Sequence, residues 1–432
     1  MDSIWMNTSL PSFPPLEGDL KTDVLIIGGG MAGLLCAYHL KKAGIDCLLI
    51  ESDRVAQGVT GRTTAKVTVQ HGLFAHTLLR RFGPEKARLY LEANQAALEQ
   101  YRALCRDLPC NFETKDSFVY SLDHPQKLEQ ELKALEALGF PGKFTQRLPL
   151  PFSTAGAVRF RDQAQFHPLK FLAELLPGLP ICEHTAARAF HGKTVLTDRG
   201  RIRAENIIVA THFPILNKHG AYFLKLYQHR SYVLALEGAP SVGGMYVDEA
   251  ENGLSFRDHG NLLLLGGGDH RTGKDGGGWA ELKAFTRIHY PDAAVAAQWA
   301  TQDCMSLDAV PYIGPYSPST PGLYVAAGFN KWGMTSAMVA AMLLTDLVQG
   351  RKNPYAEVFS PSRSMLRPQL ALNGLEATMN LLRPTRPRCP HMGCALRWNP
   401  REHTWDCPCH GSRFTEKGTL LENPATGDLK QK

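Results

Sequence analysis

Six residues near the C-terminal end have side chains that bind metal ions. The stretches CPHMGC (389–394) and CPCHGS (407–412) together hold four cysteines and two histidines. A structural zinc ion needs only four ligands, and zinc fingers usually place two cysteines in one loop and two histidines in another. Here each loop offers one of each, as Cys389-x-His391 and Cys407-x-x-His410. This division favours a [2Fe–2S] centre with two thiolates on one iron and two imidazoles on the other, with structural zinc as the alternative.

The residues around these loops carry a family resemblance. The text CPHMGCALRWN, followed by TWDCPCHGSRF, resembles the Rieske [2Fe–2S] family. The resemblance implies a disulfide between Cys394 and Cys409 that ties the two loops together. It also implies a hydrogen bond from Ser412 to a bridging sulfide. The implied cluster ligands are Cys389, His391, Cys407 and His410.

The domain that would support these loops is short. A Rieske domain usually has a run of strands before its first cluster loop, whereas here LRPTRPR (382–388) precedes Cys389 directly. We therefore predict that the shortened domain leans on the rest of the chain or on a second subunit. Arg383, Arg386 and Arg388 are candidates for docking an acidic redox protein of the ferredoxin or flavodoxin kind, with exposed linker charge as the simpler interpretation.

A second motif lies near the N-terminal end. Gly28-x-Gly30-x-x-Gly33 follows the apolar run 24–27 and opens a segment with helical periodicity at 31–42. Glu51 ends the next apolar run, 18 residues after Gly33. This strand–turn–helix–strand context is what a dinucleotide site requires. The glycines admit the pyrophosphate at a helix N-terminus, and Glu51 accepts hydrogen bonds from a ribose.

Later segments favour FAD over NAD. The loop GVTGRTTAKVT (58–68), the stretch DAVPYIG (308–314) and the text GLYVAAGFNKWGMTSAMVAAMLL resemble the D-amino-acid-oxidase-like flavoprotein superfamily over roughly residues 20–360. Amides at the start of the last helix would stabilise anionic reduced flavin. The FAD contacts that the resemblance implies, beyond the three glycines and Glu51, are Gly58, Thr60, Gly61, Thr63, Thr64, Gly328, Gly333, Met334 and Thr335.

These motifs predict an α/β fold: a doubly wound, Rossmann-like FAD-binding domain, an antiparallel-sheet substrate domain, and a small all-β Rieske-type domain. The oxidoreductase part is predicted at 20–365, with a linker at 366–387 and the cluster domain at 388–432. The FAD-binding parts are placed at about 20–80, 150–215 and 300–350. The substrate domain is placed at about 81–149 and 216–299. Residues 84–139 read as helical, 163–176 as another helix, and 207–210 as a strand that rejoins the first sheet.

Candidate catalytic residues come from the substrate region. Arg230 and Arg271 would suit a substrate carboxylate by bidentate pairing. Lys331 and Trp332 follow the last predicted strand, beside the flavin-binding turn. For each of them a structural or surface role is the simpler interpretation, because the flavin supplies the difficult chemistry. His167 is predicted to start a helix.

Composition excludes several classes of protein. The chain has 432 residues, 44% of them hydrophobic, and a net charge of +6. No block of lysine and arginine suggests nucleic-acid binding. No apolar run reaches the roughly 18 residues of a membrane span, and no secretory signal is evident, so we expect a cytoplasmic protein.

Together these features predict an FAD- and Rieske-containing oxidoreductase. We expect it to oxidise the C–N bond of an amine or amino acid by hydride transfer to flavin. Single electrons would then pass through the cluster to an acceptor. The alternatives are the same chain run in reverse as a reductase, an oxidase that reduces O₂, and a redox sensor without catalysis.

Overall fold

The computed structural model describes residues 2–384 and 387–430. Its strands are β1 (Leu20–Ile27), β2 (Cys47–Ile50), β3 (Lys66–Val67), β4 (Glu113–Ser121), β5 (Lys143–Thr145), β6 (Gly156–Gln165), β7 (Ile181–Cys182), β8 (Ala187–His191), β9 (Thr194–Thr197), β10 (Arg201–Val209), β11 (Leu226–Glu237), β12 (Met245–Asp248), β13 (Ser255–His259), β14 (Leu262–Arg271), β15 (Ala294–Ser306), β16 (Tyr312–Pro315), β17 (Leu323–Ala327), β18 (Arg397–Asn399), β19 (Thr404–Asp406), β20 (Arg413–Thr415) and β21 (Leu420–Glu422). Its α-helices are α1 (Met31–Lys42), α2 (Ala75–Leu104), α3 (Pro125–Leu138), α4 (Pro168–Leu175), α5 (Tyr222–Lys225), α6 (Gly278–His289), α7 (Gly333–Val348), α8 (Ala356–Phe359) and α9 (Pro368–Leu382).

The first sheet is the predicted doubly wound sheet. Its main path runs β16-β17-β10-β1-β2-β7, with β8 and β9 added beside β10. β1 pairs in parallel with both β2 and β10, so the predicted strand that rejoins the sheet is confirmed. The four residues of β2 are all buried, as expected of a parallel strand covered on both faces. α1 occupies the predicted residues and packs on α7.

The second sheet is the predicted substrate-domain sheet, and it is larger than expected. Its path runs β15-β11-β14-β13-β12-β4-β6-β3, with β5 beside β6. β4 interrupts the segment 84–139 that was predicted to be helical, because it pairs with β6 and β12. β6 and most of β15 were placed in the FAD-binding parts but belong to this sheet. These strands form because they pair with segments distant in sequence, and the local hydrophobic pattern does not contain that information.

Helix boundaries also differ from expectation at two places. The helix predicted at 163–176 begins only at Pro168, because β6 extends to Gln165. His167 caps it, accepting a hydrogen bond from the Lys170 amide, so its predicted helix-start role is confirmed. The predicted linker 366–387 is largely the 15-residue helix α9. Within the residues described, no helix is both long and apolar enough to cross a membrane.

The third sheet is a four-stranded antiparallel meander, β18-β19-β20-β21. All four strands follow the first cluster loop, as expected from the lack of a predicted strand pair before Cys389. In place of preceding strands, the domain has α9, whose Ala377 packs against its small core. An isolated bridge between Arg388 and Ala395 closes the first loop.

A buried charge network joins this meander to the substrate sheet. Arg230 on β11 is 2% exposed. Its Nε donates to Glu402 Oε1 at 3.1 Å and its Nη1 to Glu422 Oε1 at 3.2 Å. Arg413 reaches the same two carboxylates. Although burial opposes it, the charges of Arg230 and Arg413 lower the pKa of Glu402 to about 2.

Replacing Arg230→Gln is expected to destabilise the whole chain. The change leaves Glu402 and the partly exposed Glu422 with one guanidinium between them, and breaking a buried pair such as Arg230–Glu402 costs about 3–5 kcal/mol. Calorimetry should show a lower Tm. The control Arg351→Gln, at an exposed arginine, should leave the Tm unchanged; equal Tm values for the two variants would contradict this account of the interface.

The contribution of Glu402 should depend on pH with a defined sign. Its pKa is lowered in the folded state, so its stabilising effect is complete above the unfolded value near 4.3 and is lost as pH falls toward 2. The Tm difference between the wild type and Arg230→Gln is therefore expected to be constant from pH 5 to 7 (roughly the range above the unfolded pKa) and to shrink in more acidic buffer.

Candidate functional site

A cavity of about 1100 Å³ lies between the first two sheets and the C-terminal domain. The β1–α1 turn, the end of β2 and the loop 58–64 form one wall. The turn before α7 and strands of the second sheet form another. The third wall is the segment 420–428 of the C-terminal domain. One space is thus bounded by all three sheets.

The glycine turn is shaped for close backbone approach. Gly28 has a φ of +113°, and a Cβ there would lie 2.6 Å from the Ala210 carbonyl oxygen. A Cβ on Gly33 would lie 1.9 Å from the Gly28 oxygen, so α1 packs directly on the turn. Gly30 gives α1 no side-chain cap, although the Met31 amide donates to Thr60 Oγ1 at 2.9 Å; the partial positive charge of the helix N-terminus suits a phosphate. Glu51 lies beside them, accepting a hydrogen bond from the Gly29 amide at 2.7 Å.

Most of the FAD contacts implied by resemblance line this cavity. Those on the wall are Gly28, Gly30, Glu51, Gly58, Thr60, Thr63, Thr64, Gly328, Gly333 and Met334. Gly33, Gly61 and Thr335 lie behind it. The Thr335 hydroxyl lies 3.0 Å from His71 Nε2, and a Cβ on Gly61 would meet the Ala56 oxygen at 2.7 Å. These three residues therefore support the walls of the cavity, and Gly33 does so by letting α1 pack on the turn.

The turn before α7 is strained and aimed at the cavity. Asn330 and Lys331 both have positive φ, +51° and +70°. The Asn330 side chain supports the turn, accepting a hydrogen bond from the Ser306 amide at 2.8 Å. α7 begins at Gly333 without a side-chain cap. Its free amides can face the anionic side of a flavin ring.

The four catalytic candidates separate into two pairs. Lys331 and Trp332 line the cavity, with Lys331 in an ion pair with Asp269 at 2.5 Å. Arg230 and Arg271 do not line it. The carboxylate-binding role predicted for Arg230 is wrong, because Glu402 and Glu422 already occupy its guanidinium. Arg271 instead donates to the carbonyls of Pro408 and Cys409, in the second cluster loop.

Two carboxylates that sequence reasoning missed lie on the substrate side of the cavity. Asp269 has one oxygen in its pair with Lys331 and a second, buried oxygen without a partner among the described residues. Asp303 accepts a hydrogen bond from Ser231 at 3.0 Å, and burial raises its pKa to about 6. Each sits in an ordinary strand sequence, so no local signal marked them.

The two cluster loops fold around buried sulfurs. Cys389 and Cys407 are 2% and 0% exposed, and Cys394 and Cys409 form a disulfide. The sulfurs of Cys394, Cys407 and Cys409 lie within 4.8 Å of one another, so the disulfide packs against a proposed ligand. Hydrogen bonding between the Cys389 and Cys407 sulfurs, helped by the amides of His391 and Met392, lowers the pKa of Cys389 to about 7.

The two histidines are prepared for a metal. The rings of His391 and His410 lie 4.8 Å apart, and the buried Nδ1 of each has no partner in the described part of the chain. Burial lowers the pKa of His391 to about 4 and that of His410 to about 3, so both are neutral, as metal ligation requires. His391 Nε2 lies 2.9 Å from Asn217 Oδ1, which fixes the ring orientation.

The substrate sheet holds the second cluster loop in place. Gln228 on β11 donates to the His410 carbonyl at 2.8 Å, and Gln302 on β15 donates to the Gly411 carbonyl at 2.9 Å. The two amides also bond to each other at 2.7 Å. Gly411 has a φ of +85°, and a Cβ there would lie 2.7 Å from the Gln228 side chain. Gln228 and Gln302 of the substrate sheet therefore support the cluster loop in place of the missing strands, so the shortened domain is stabilised by its own chain.

The arginines proposed for docking a redox protein are partly occupied. Arg388 donates to the Leu381 carbonyl at 3.2 Å and the Gly393 carbonyl at 2.7 Å, so it ties the first cluster loop to the end of α9. This placement corrects its predicted role as a free surface charge. Arg383 is exposed, and Arg386 lies outside the described residues.

The donor sets fit both cofactors. The N-terminus of α1, the glycine turn and Glu51 fit a dinucleotide. Two thiols and two unpartnered imidazole nitrogens fit a [2Fe–2S] centre. The same four donors would also suit zinc, so the chemistry of the ligands alone does not choose between the metals.

Comparison with known proteins makes that choice. A family described as FAD dependent oxidoreductase (DAO) matches residues 23–347, and one described as Rieske [2Fe-2S] domain matches residues 375–432. The latter match begins inside α9.

Individual relatives repeat this architecture in whole or in part. A Bacillus subtilis protein named putative Rieske 2Fe-2S iron-sulfur protein YhfW is 35% identical, and the match covers 98% of this chain and 96% of that protein. The gamma-glutamylputrescine oxidoreductase of Escherichia coli is 22% identical over 78% of this chain and 86% of its own. The structure of glycine oxidase from Geobacillus kaustophilus superposes with a TM-score of 0.67 at 20% identity, covering 80% of this chain and 99% of that one. The chain therefore belongs to the FAD dependent oxidoreductase family, carries a Rieske [2Fe–2S] domain at its C-terminal end, and is an FAD-dependent oxidoreductase with an iron–sulfur cluster.

Proposed function

We propose that this enzyme oxidises the C–N bond of a small organic amine and relays the electrons, one at a time, to an acceptor through the cluster. When bound, FAD would supply the hydride-accepting chemistry and the [2Fe–2S] centre the one-electron chemistry. The residues of the chain bind and orient the substrate, exclude water, and connect the two cofactor sites.

The observation that carries this proposal is a pair of hydrogen-bonded links between the cavity and the cluster loops. Ala425 lines the cavity and its amide donates to Ser412 Oγ at 2.9 Å; Ser412 in turn bonds to the Cys389 sulfur. Asn423 also lines the cavity, and its carbonyl shares the Gln228 amide with the carbonyl of His410. The cavity wall and the proposed ligands are therefore parts of one packed unit.

The charge of the cavity supports an amine over an amino acid. The carboxylates that its substrate side contributes are Asp248, Glu251, Asp269 and Asp303, opposed by Lys66 and Lys331. Burial lowers the pKa of Lys66 to about 7, so its positive charge is only partial at neutral pH. The arginines on the wall, Arg54, Arg62 and Arg188, belong to the segments around Glu51, the loop 58–64 and β8. An anionic substrate would meet net negative charge, whereas an ammonium group would be attracted.

Asp303 is the carboxylate best placed to hold that ammonium group. It lines the cavity, and it makes no ion pair among the described residues, unlike Asp269. Its hydrogen bond from Ser231 fixes one oxygen and leaves the other for a ligand. A charge-assisted hydrogen bond contributes about 1.5–3 kcal/mol, which corresponds to roughly ten- to hundredfold in binding.

Asp303→Asn is therefore expected to lower kcat/KM for cationic amines by about ten- to hundredfold. In the wild type, kcat/KM should rise with pH through about 6, the pKa to which burial raises Asp303, because the carboxylate attracts the ammonium only when ionised. The variant should lose that step. Steady-state rates from pH 5 to 8, the range that brackets this pKa, measure both effects.

The matched control is Asp275→Asn, at an exposed carboxylate outside the cavity. It should retain the wild-type rate and the pH step near 6. FAD content, read from the visible spectrum, should be the same in both variants. An unchanged pH profile in Asp303→Asn would remove Asp303 from the site and leave the charge argument without its main residue.

The electron relay is tested with His391→Ala, which removes one proposed cluster ligand. Anaerobic mixing with an amine substrate should bleach the flavin in both the wild type and the variant. Only the wild type should then develop the anisotropic EPR signal of a reduced Rieske cluster and reduce a one-electron acceptor such as ferricyanide. Circular dichroism checks that the variant is folded.

Other outcomes of the same experiment identify the competing functions. Flavin bleaching without an EPR signal in the wild type, followed by rapid reoxidation in air, would assign an O₂-reducing oxidase. Flavin reduction only when the cluster is first reduced would assign the reverse direction. No flavin reduction by any amine or amino acid would favour a redox sensor.

A further inference from the structure

Helix α9 is folded with its polar residues inward and its apolar residues outward. Asn373, Glu376 and Asn380 are buried, at 5%, 7% and 1% exposed. The apolar residues of the opposite face are exposed: Leu372 by 55%, Leu375 by 58%, Met379 by 44% and Leu382 by 78%. An ordinary surface helix has the reverse arrangement. Leu366, just before the helix, is also 82% exposed.

Specific hydrogen bonds hold the helix in this orientation. Asn373 accepts from Arg271 at 3.0 Å and donates to the Leu224 carbonyl at 3.2 Å. Glu376 pairs with Lys274 at 2.6 Å, and the Asn380 carbonyl accepts from the Ala395 amide at 3.0 Å. Rolling the helix to bury its leucines would break the hydrogen bond from Arg271 to Asn373 and the ion pair of Lys274 with Glu376. The apolar face therefore points outward as part of the fold.

The exposed face offers few polar groups to a partner. The residues 372, 375, 379 and 382 follow the spacing of one helical stripe. Between them lie Gly374 and Thr378, and the Thr378 hydroxyl is already used by the Gly374 carbonyl at 2.9 Å. Specific protein interfaces carry about one hydrogen bond per 100–200 Å². A lipid surface requires none, because helix backbone groups are satisfied internally.

The charges around the stripe have one sign. Between residues 358 and 388 the sequence has five arginines and one acidic residue, Glu376. Glu376 is buried in its pair with Lys274. Arg363 is likewise paired with Asp308, and Arg388 donates to backbone carbonyls, so the charges left at the ends of the stripe are arginines. Arg367 precedes the helix and Arg383 follows it. A second copy of the chain, docked in either direction, would bring arginine against arginine, whereas an anionic surface would be attracted to both ends.

We propose that α9 is a docking element that binds flat on the surface of an anionic phospholipid bilayer. Its 15 residues span about 22 Å, and the leucine stripe enters the boundary between headgroups and acyl chains while the flanking arginines contact phosphate. Arg388 and the Ala395 amide tie the first cluster loop to this helix, so docking places the Rieske domain at the membrane. This inference is independent of the substrate proposed above.

The test is co-sedimentation of the holoenzyme with vesicles. Binding is expected to phosphatidylcholine vesicles that contain about 30% phosphatidylglycerol, and to be weaker with phosphatidylcholine alone or at high salt. The double variant Leu375→Ser/Met379→Ser should bind at least about tenfold less well, since two buried apolar side chains are lost. The residues are exposed, so the variant should keep its Tm and its flavin.

The matched control is Ile288→Ser, which removes a side chain of α6 that is 73% exposed and should leave vesicle binding unchanged. Equal binding of the double variant and the wild type would overturn the proposal, as would a wild type that stays in the supernatant. A dimer in light scattering that dissociates in the double variant, without vesicle binding, would assign the stripe to a second copy. If the holoenzyme sedimented only when an acidic protein was added, and not with vesicles alone, the stripe would be assigned to a protein partner.

Discussion

Arg230 carries a full positive charge on a strand where it is 2% exposed, and the carboxylates that neutralise it come from the other end of the chain. Glu402 and Glu422 belong to the small C-terminal meander. An unpaired buried charge would cost several kcal/mol, so the docking of the cluster domain adds to the stability of the substrate sheet. The remaining contacts between the two parts follow from this docking.

Strand β11 serves two sites because its residues point in alternate directions. Gln228 and Arg230 hold the cluster domain, while Ser231 and Val233 line the cavity. A single strand therefore positions the second cluster loop and one wall of the proposed FAD site. The side-chain amides of Gln228 and Gln302 give the second cluster loop the support that extra strands would otherwise give. This explains how so short a Rieske domain can be folded.

Helix α9 extends the same interface. Asn373 accepts a hydrogen bond from Arg271 at the end of β14, and Glu376 pairs with Lys274 just beyond that strand, which leaves the leucines of α9 without a place in the core. Polar recognition on one face and apolar exposure on the other are thus two consequences of one requirement. That requirement is to hold the cluster loops against the part of the substrate domain that carries Arg271 and Lys274.

The sequence by itself predicted both cofactors and the residues that would hold them. The glycine turn with Glu51 and the paired Cys–His loops are defined by the spacing of residues within short segments. Their secondary structure was therefore predictable, and so was the doubly wound sheet. It did not determine the roles of Arg230 and Arg271, the membership of β4 and β6 in the second sheet, or the carboxylates Asp269 and Asp303. Those depend on which residues distant in sequence meet. A guanidinium can bind a substrate or a glutamate of its own chain with the same geometry, and only the tertiary structure decided which.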